Sequence, residues 1–99
     1  MAAINKRKLL ESAQKNLQKG ALDKALKDYQ ALLEADPRDA NVRLKVGDLQ
    51  LKRGQNDDAI AAFNKVIEIE PKLAVEVYGA IAYAYLFKGD LAQAQAYAE

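Results

Sequence analysis

Asp57 and Asp58 are the one adjacent pair of carboxylates in this chain, and Ser12 is its only serine. A carboxylate pair can divide acid and base work, and a serine can act as a nucleophile once a base activates it. Neither is equipped to do so here. The chain has no His, no Cys and no Thr, so no Ser–His or Cys–His arrangement can be built. Zinc lacks its usual ligands for the same reason, and no disulfide can form. Asp57 and Asp58 stand at an expected helix start, where acidic groups suit the helix dipole. The five glycines are isolated breaks or packing positions and form no phosphate-cradling loop. The expectation is a protein that is not an enzyme and carries no cofactor and no metal.

Chemistry that remains is the chemistry of contact, and it depends on which elements hold which faces. Ala, Leu, Lys, Gln and Glu dominate, residues that lose little freedom in a helix. Only two prolines interrupt the chain. Helices are expected over about Asn5–Lys19, Leu22–Ala35, Ala40–Arg53, after Asn56 to the Glu70-Pro71 stop, Leu73–Lys88, and after Asp90 to Glu99. Gly20 and Gly54 suit left-handed helix ends, Asp36-Pro37 and Glu70-Pro71 stop the second and fourth helices, and Asp39 and Asp90 are placed to cap the third and sixth. Leu22, Ala25, Leu26, Tyr29, Leu32 and Leu33 make one apolar stripe at helical spacing. The short linkers make consecutive helices antiparallel neighbours.

Charge is nearly balanced, with 15 basic and 14 acidic residues, and residues 1–39 carry the basic excess. The one basic run, Lys6-Arg7-Lys8, reads as a solvated helix face rather than a phosphate contact, so no nucleic acid is expected. RNA contact through it is the weakest of the readings weighed. No segment reaches the ~18 apolar residues of a membrane span. The charged start has no apolar stretch behind it and so does not read as a signal peptide. Cytoplasm is the expected location.

The pattern repeats. Gly20 and Gly54, Ala25 and Ala59, Tyr29 and Phe63, and Pro37 and Pro71 are each 34 residues apart, and Gly89 and Ala94 follow at 35. One residue is therefore inserted after Pro71. A period of this length marks a solenoid of stacked helix hairpins. Gly20, Leu22, Ala25, Tyr29 and Pro37, repeated as Gly54, Ala59, Phe63 and Pro71, resemble the second half of a tetratricopeptide repeat. The first half is similar in Tyr78, Ile81-Ala82 and Tyr85, in Arg43, Val46-Gly47 and Gln50, and in Leu9, Ser12-Ala13 and Asn16. Ser12 reads there as a small packing residue, and Asn16 and Gln50 stand where an aromatic is usual. The resemblance implies an all-α fold: an α-solenoid of three antiparallel helix pairs in a right-handed superhelix. Its repeats run about 6–39, 40–74 and 75–99, the last incomplete.

In such stacks the first helix of each pair lines an inner groove. The residues expected there are Leu10, Gln14 and Leu17, then Asn41, Leu44, Lys45, Asp48, Leu51 and Lys52, then Gly79, Tyr83, Leu86 and Phe87. Leu10/Leu17, Leu44/Leu51 and Gly79/Leu86 recur at a spacing of seven. They either dock a peptide or pack on the next repeat. A carboxylate clamp found in repeats that capture chaperone C-terminal tails would fall on Leu10, Gln14, Lys45, Glu76 and Ala80. Only Gln14 keeps a comparable group, so the expectation excludes a chaperone C-terminal tail as partner. The third repeat has 25 residues where about 34 are usual, which points to a chain cut from a longer protein. Leu91, Ala94, Tyr97 and Ala98 would then leave an apolar edge through which the chain could form a homo-oligomer. The sequence thus predicts a non-catalytic scaffold binding a protein or peptide in its groove. Its rival is a module that assembles through the C-terminal edge.

Overall fold

The computed structural model describes residues 5–98 and contains six α-helices in chain order. They are α1 (Lys6–Gln18), α2 (Leu22–Ala35), α3 (Ala40–Lys52), α4 (Asn56–Ile69), α5 (Ala74–Lys88) and α6 (Leu91–Ala98), with one turn of 3₁₀ helix at Pro71–Leu73 before α5. No strand occurs among the described residues. Residues 1–4 and Glu99, the expected end of the sixth helix, lie outside them.

Each hairpin turns on the same device. Gly20, Gly54 and Gly89 have φ of 75°, 79° and 87°, the left-handed region in which a glycine is unstrained. That conformation folds the chain back so that the next two N–H groups satisfy the last carbonyls. Gly20 N–H donates to the Leu17 carbonyl and Ala21 N–H to that of Asn16. Gly54 and Gln55 do the same to Leu51 and Gln50, as do Gly89 and Asp90 to Leu86 and Tyr85. This is the Schellman ending, here used three times.

The second helices end differently, because proline forces the residue before it out of helix. Asp36 and Glu70 accordingly sit at φ −144° and −135° ahead of Pro37 and Pro71. Asp39 then caps α3, its Oδ1 accepting from the Val42 N–H at 3.1 Å. At the start of α5 the N-cap position, 34 residues after Asp39, is Leu73, which makes no side-chain cap. The chain makes a 3₁₀ turn instead, Leu73 packs into the core, and the helix expected from Leu73 starts at Ala74. Asp90 caps α6 through the Gln93 N–H at 3.2 Å.

The core is not central. One cluster joins Ala13, Ala25, Leu26, Tyr29 and Leu32 of the first hairpin to Val46 and Leu49 of α3. A second joins Ala59, Phe63 and Val66 of α4 to Val77 and Ile81 of α5. Each hairpin thus buries its stripe against the first helix of the next, as a solenoid requires. The result is elongated, 47 × 28 × 19 Å with a radius of gyration of 14.0 Å. A compact domain of this length has about 13 Å.

Helix crossings explain the small residues. Ala13 and Ala25 are fully buried, as is Ala59. Gly47 allows the closest approach: a Cβ there would lie 2.6 Å from Phe63 Cε1. Ser12 departs from its expected role. It is exposed and donates to Asp28 Oδ2 at 2.6 Å, where Asn16 Nδ2 also donates at 3.0 Å. The serine therefore faces a partner carboxylate rather than the core. Asn16 replaces the usual aromatic because Asp28 on α2 gives it a hydrogen bond. No helix among the described residues is long and apolar enough to cross a membrane.

Candidate functional site

The residues expected in the groove divide by exposure. On α1, Leu10 and Gln14 are exposed, while Leu17 is half-buried against the first core cluster. On α3, Asn41, Lys45 and Lys52 are exposed. Leu44 and Leu51 are half-buried and pack on the second cluster. Those two leucines therefore serve the stack itself. On α5, Tyr83, Leu86 and Phe87 are all exposed. The Tyr83 and Phe87 rings stack at 6.2 Å and 29°.

Asp48 on this face has a displaced pKa. Partial burial pushes its carboxyl above the usual carboxylate range, and Glu76 on α5 adds to the rise. Lys45 and Lys52, one turn away on either side, oppose it. The face therefore holds a carboxylate between two ammonium groups, closed at one end by stacked aromatics. It has groups for gripping a chain segment. No group of side chains that could hold a metal ion occurs among the described residues.

Next to these aromatics, α5 and α6 flank an open cavity of about 520 Å³ lined by Gly79, Ala82, Tyr83, Leu86, Leu91 and Ala94, among others. Of the four residues assigned to an open C-terminal edge, Leu91 and Ala98 are exposed and Ala94 is buried. Tyr97 is half-buried, its ring stacked on Tyr85 at 5.6 Å and tilted against Tyr78 at 5.8 Å. The aromatic stack closes the last hairpin from within, so the open part of the edge lies on the cavity side.

The basic run at Lys6, Arg7 and Lys8 is exposed, and Arg7 pairs with Glu11 at 3.5 Å. Asp57 does structural work, as its position suggested, but with a partner the sequence did not reveal. It holds Lys88 at the end of α5, and this hydrogen bond raises the Lys88 pKa against the effect of desolvation. Asp23 holds Arg53 at 2.8 Å in the same way at the end of α3. The signal was present: Asp23 and Asp57 are 34 residues apart, Arg53 and Lys88 35.

A tetratricopeptide repeat family profile matches residues 10–74, and a second matches residues 75–99. The chain belongs to the tetratricopeptide repeat family. Superkiller complex protein 3 of Mus musculus is 35% identical over 63 residues, 64% of this chain and 4% of that protein. The Homo sapiens protein of the same name is 36% identical over 62 residues, again 4% of its length. The Yersinia enterocolitica type III secretion translocator chaperone SycD superposes with a TM-score of 0.85 at 27% identity, over 97% of this chain and 72% of that one. MamA AMB-1 superposes with a TM-score of 0.84 at 26% identity, over 94% of this chain and 54% of its own. The chain thus spans a small part of the first two proteins and about half of MamA.

These likenesses correct one expectation. The empty clamp positions at Leu10, Gln14, Lys45, Glu76 and Ala80 led to the exclusion of a chaperone C-terminal tail as partner. A translocator chaperone shares this fold over nearly the whole chain, so the exclusion does not stand. The clamp is one way of holding a carboxylate, so its missing residues do not decide the partner. The family match makes this chain a helical-repeat module of the tetratricopeptide type.

Proposed function

We propose that this chain binds a peptide segment of a partner protein along the groove lined by α1, α3 and α5. The observation that carries the reading is the open row Leu10, Gln14, Asn41, Lys45, Lys52, Tyr83 and Phe87, all exposed on the first helices of their pairs. Asp48 and Leu86 lie within the same face, while Leu17, Leu44 and Leu51 form its floor. Stacked aromatics give an apolar anchor with little conformational freedom to lose, and the alternating charges on α3 fix register. A chaperone-like role accords with the similarity to SycD. The same reading keeps the cytoplasmic location expected from the sequence and the three repeat units 6–39, 40–74 and 75–99.

A random-peptide display selection on the purified chain tests this. Selected peptides should bind wild type and lose about fivefold or more in affinity with Asn41→Ala combined with Lys45→Ala, the loss of about 1 kcal/mol that marks a contributing interface residue. Both side chains are exposed, so the fold is kept. Peptides that bind the double variant as they bind wild type would refute the groove.

A further inference from the structure

We infer that the cleft between α2, α3 and α4 binds a small zwitterion whose carboxylate and ammonium groups end an aliphatic chain. The three hairpins treat this place differently, and two of them close it. In the third, Tyr78, Tyr85 and Tyr97 meet there, the Tyr97 ring 5.8 Å from Tyr78 and 5.6 Å from Tyr85. In the first, Asn16 and Asp28 stand where Tyr85 and Tyr97 stand, and they share a hydrogen bond of 3.0 Å. In the second, the three positions hold Arg43, Gln50 and Ala62, and all three line a cleft of about 430 Å³. That is the volume of a small-molecule site. Arg43 Nε and Gln50 Oε1 are buried there without a hydrogen-bond partner. Leaving a buried donor and a buried acceptor unpaired costs stability, and a ligand that pairs both removes the cost.

The cleft is polar at its ends and apolar between them. α3 and α4 run antiparallel about Gly54, so Arg43 lies level with Lys65, and Gln50 with Asp58. One end is therefore cationic, and the other offers a carboxylate and an amide oxygen. Arg43 is held in place by its Nη2, which donates to the Pro37 carbonyl at 2.9 Å. Lys65 shares its charge with Glu68 at 3.2 Å, so Arg43 is the main anchor for an anion. Val46 and Ala62 are buried between the two ends, with half-buried Leu33 beside them. Seven residues of helix separate Arg43 from Gln50, about 10.5 Å, which an extended chain of about eight carbons covers. A peptide backbone would lay its amides on the apolar middle, where only exposed Gln30 among the lining residues offers a partner. An aliphatic chain avoids that cost. Further repeats of the same chain do not reach the cleft, because each repeat contacts only its neighbours and both are in place here. None of the groove residues lines it, so the site does not rest on the groove reading.

The probe is ω-aminooctanoate, titrated into the isotope-labelled full chain and followed by amide NMR. Saturable shifts are expected at the lining residues of α2, α3 and α4. Octanoate and octylamine should each bind at least about tenfold more weakly, the loss of one hydrogen bond to a charged group. Gln50→Leu and Arg43→Gln should each weaken ω-aminooctanoate by the same factor while circular dichroism stays unchanged, and either variant suffices if the other fails to fold. Asn41→Ala with Lys45→Ala should leave this binding as it is, which separates the site from the groove. No saturable shift, shifts confined to other residues, or octanoate bound as tightly overturns the inference. So does binding that the folded variants leave intact. A blocked peptide of glutamate, three alanines and lysine that binds where ω-aminooctanoate does not would overturn it too, since the occupant would then be a protein segment.

Discussion

One substitution made at two helical glycines should move stability in opposite directions. At Gly47 a new Cβ would meet Phe63 Cε1 at 2.6 Å, Cδ1 at 2.9 Å and Cζ at 3.1 Å. Phe63 is fully buried, as are Val66, Val77 and Ile81 in its cluster, so the ring has nowhere to turn. The helices must part, and overpacking of this kind costs about 1–3 kcal/mol. Alanine returns about 1 kcal/mol of helix propensity. The first hairpin accepts Ala13 at the equivalent place, so relaxation holds the cost toward the middle of that range. The net expectation for Gly47→Ala is a loss of about 1 kcal/mol, or a Tm lower by about 4–8 °C in a domain of this size. At Gly79 nothing lies within 4 Å of the new Cβ. Only the propensity gain acts there, so Gly79→Ala should raise Tm by a similar amount. Parallel thermal melts followed at 222 nm decide it. A Gly47→Ala protein as stable as Gly79→Ala would refute the claim that the α3–α4 crossing is set by the missing side chain.

Asp48→Asn should raise stability at pH 7. Its pKa is raised above the ordinary 3.8, so the folded state holds the proton more tightly than the unfolded state. That stability is fully present below 3.8 and is lost as pH rises through the folded value. The variant's advantage should accordingly vanish in melts taken below 3.8, and an advantage that persists there would count against the burial argument. Asp28→Ala should cost about 1 kcal/mol, because it strips the acceptor from both Ser12 and Asn16. Ser12→Ala should add nothing in that background, which a double-mutant cycle by urea denaturation checks.

Much of the fold was legible because it is punctuated locally. A left-handed glycine, a proline stop and an aspartate cap each act within a few residues, and the repeat prints them at fixed intervals. The helix ends at Gly20, Gly54, Pro37 and Pro71 follow from those residues alone. The candidate site was legible in part. Leu10, Gln14, Asn41, Lys45, Lys52, Tyr83, Leu86 and Phe87 are exposed as expected, because helical periodicity assigns faces. Periodicity does not say how far a face is covered. Leu44 and Leu51 share spacing with Leu10 and Leu17, yet the second cluster takes them partly in. Ser12 lies beside buried Ala13, but the side chain it meets, Asp28, is sixteen residues away on another helix.

The sequence by itself determined that this chain is helical, repeated every 34 or 35 residues, and without histidine or cysteine. Those properties are local or compositional, so no neighbour was needed to read them. Only the tertiary structure decided that Gly47 seats Phe63 and that Tyr97 closes on Tyr85. It alone showed that Asp23 and Asp57 reach the ends of the first helix of the next hairpin. Each of these depends on the distance between side chains carried by different helices, and that distance is set by how two packed surfaces fit.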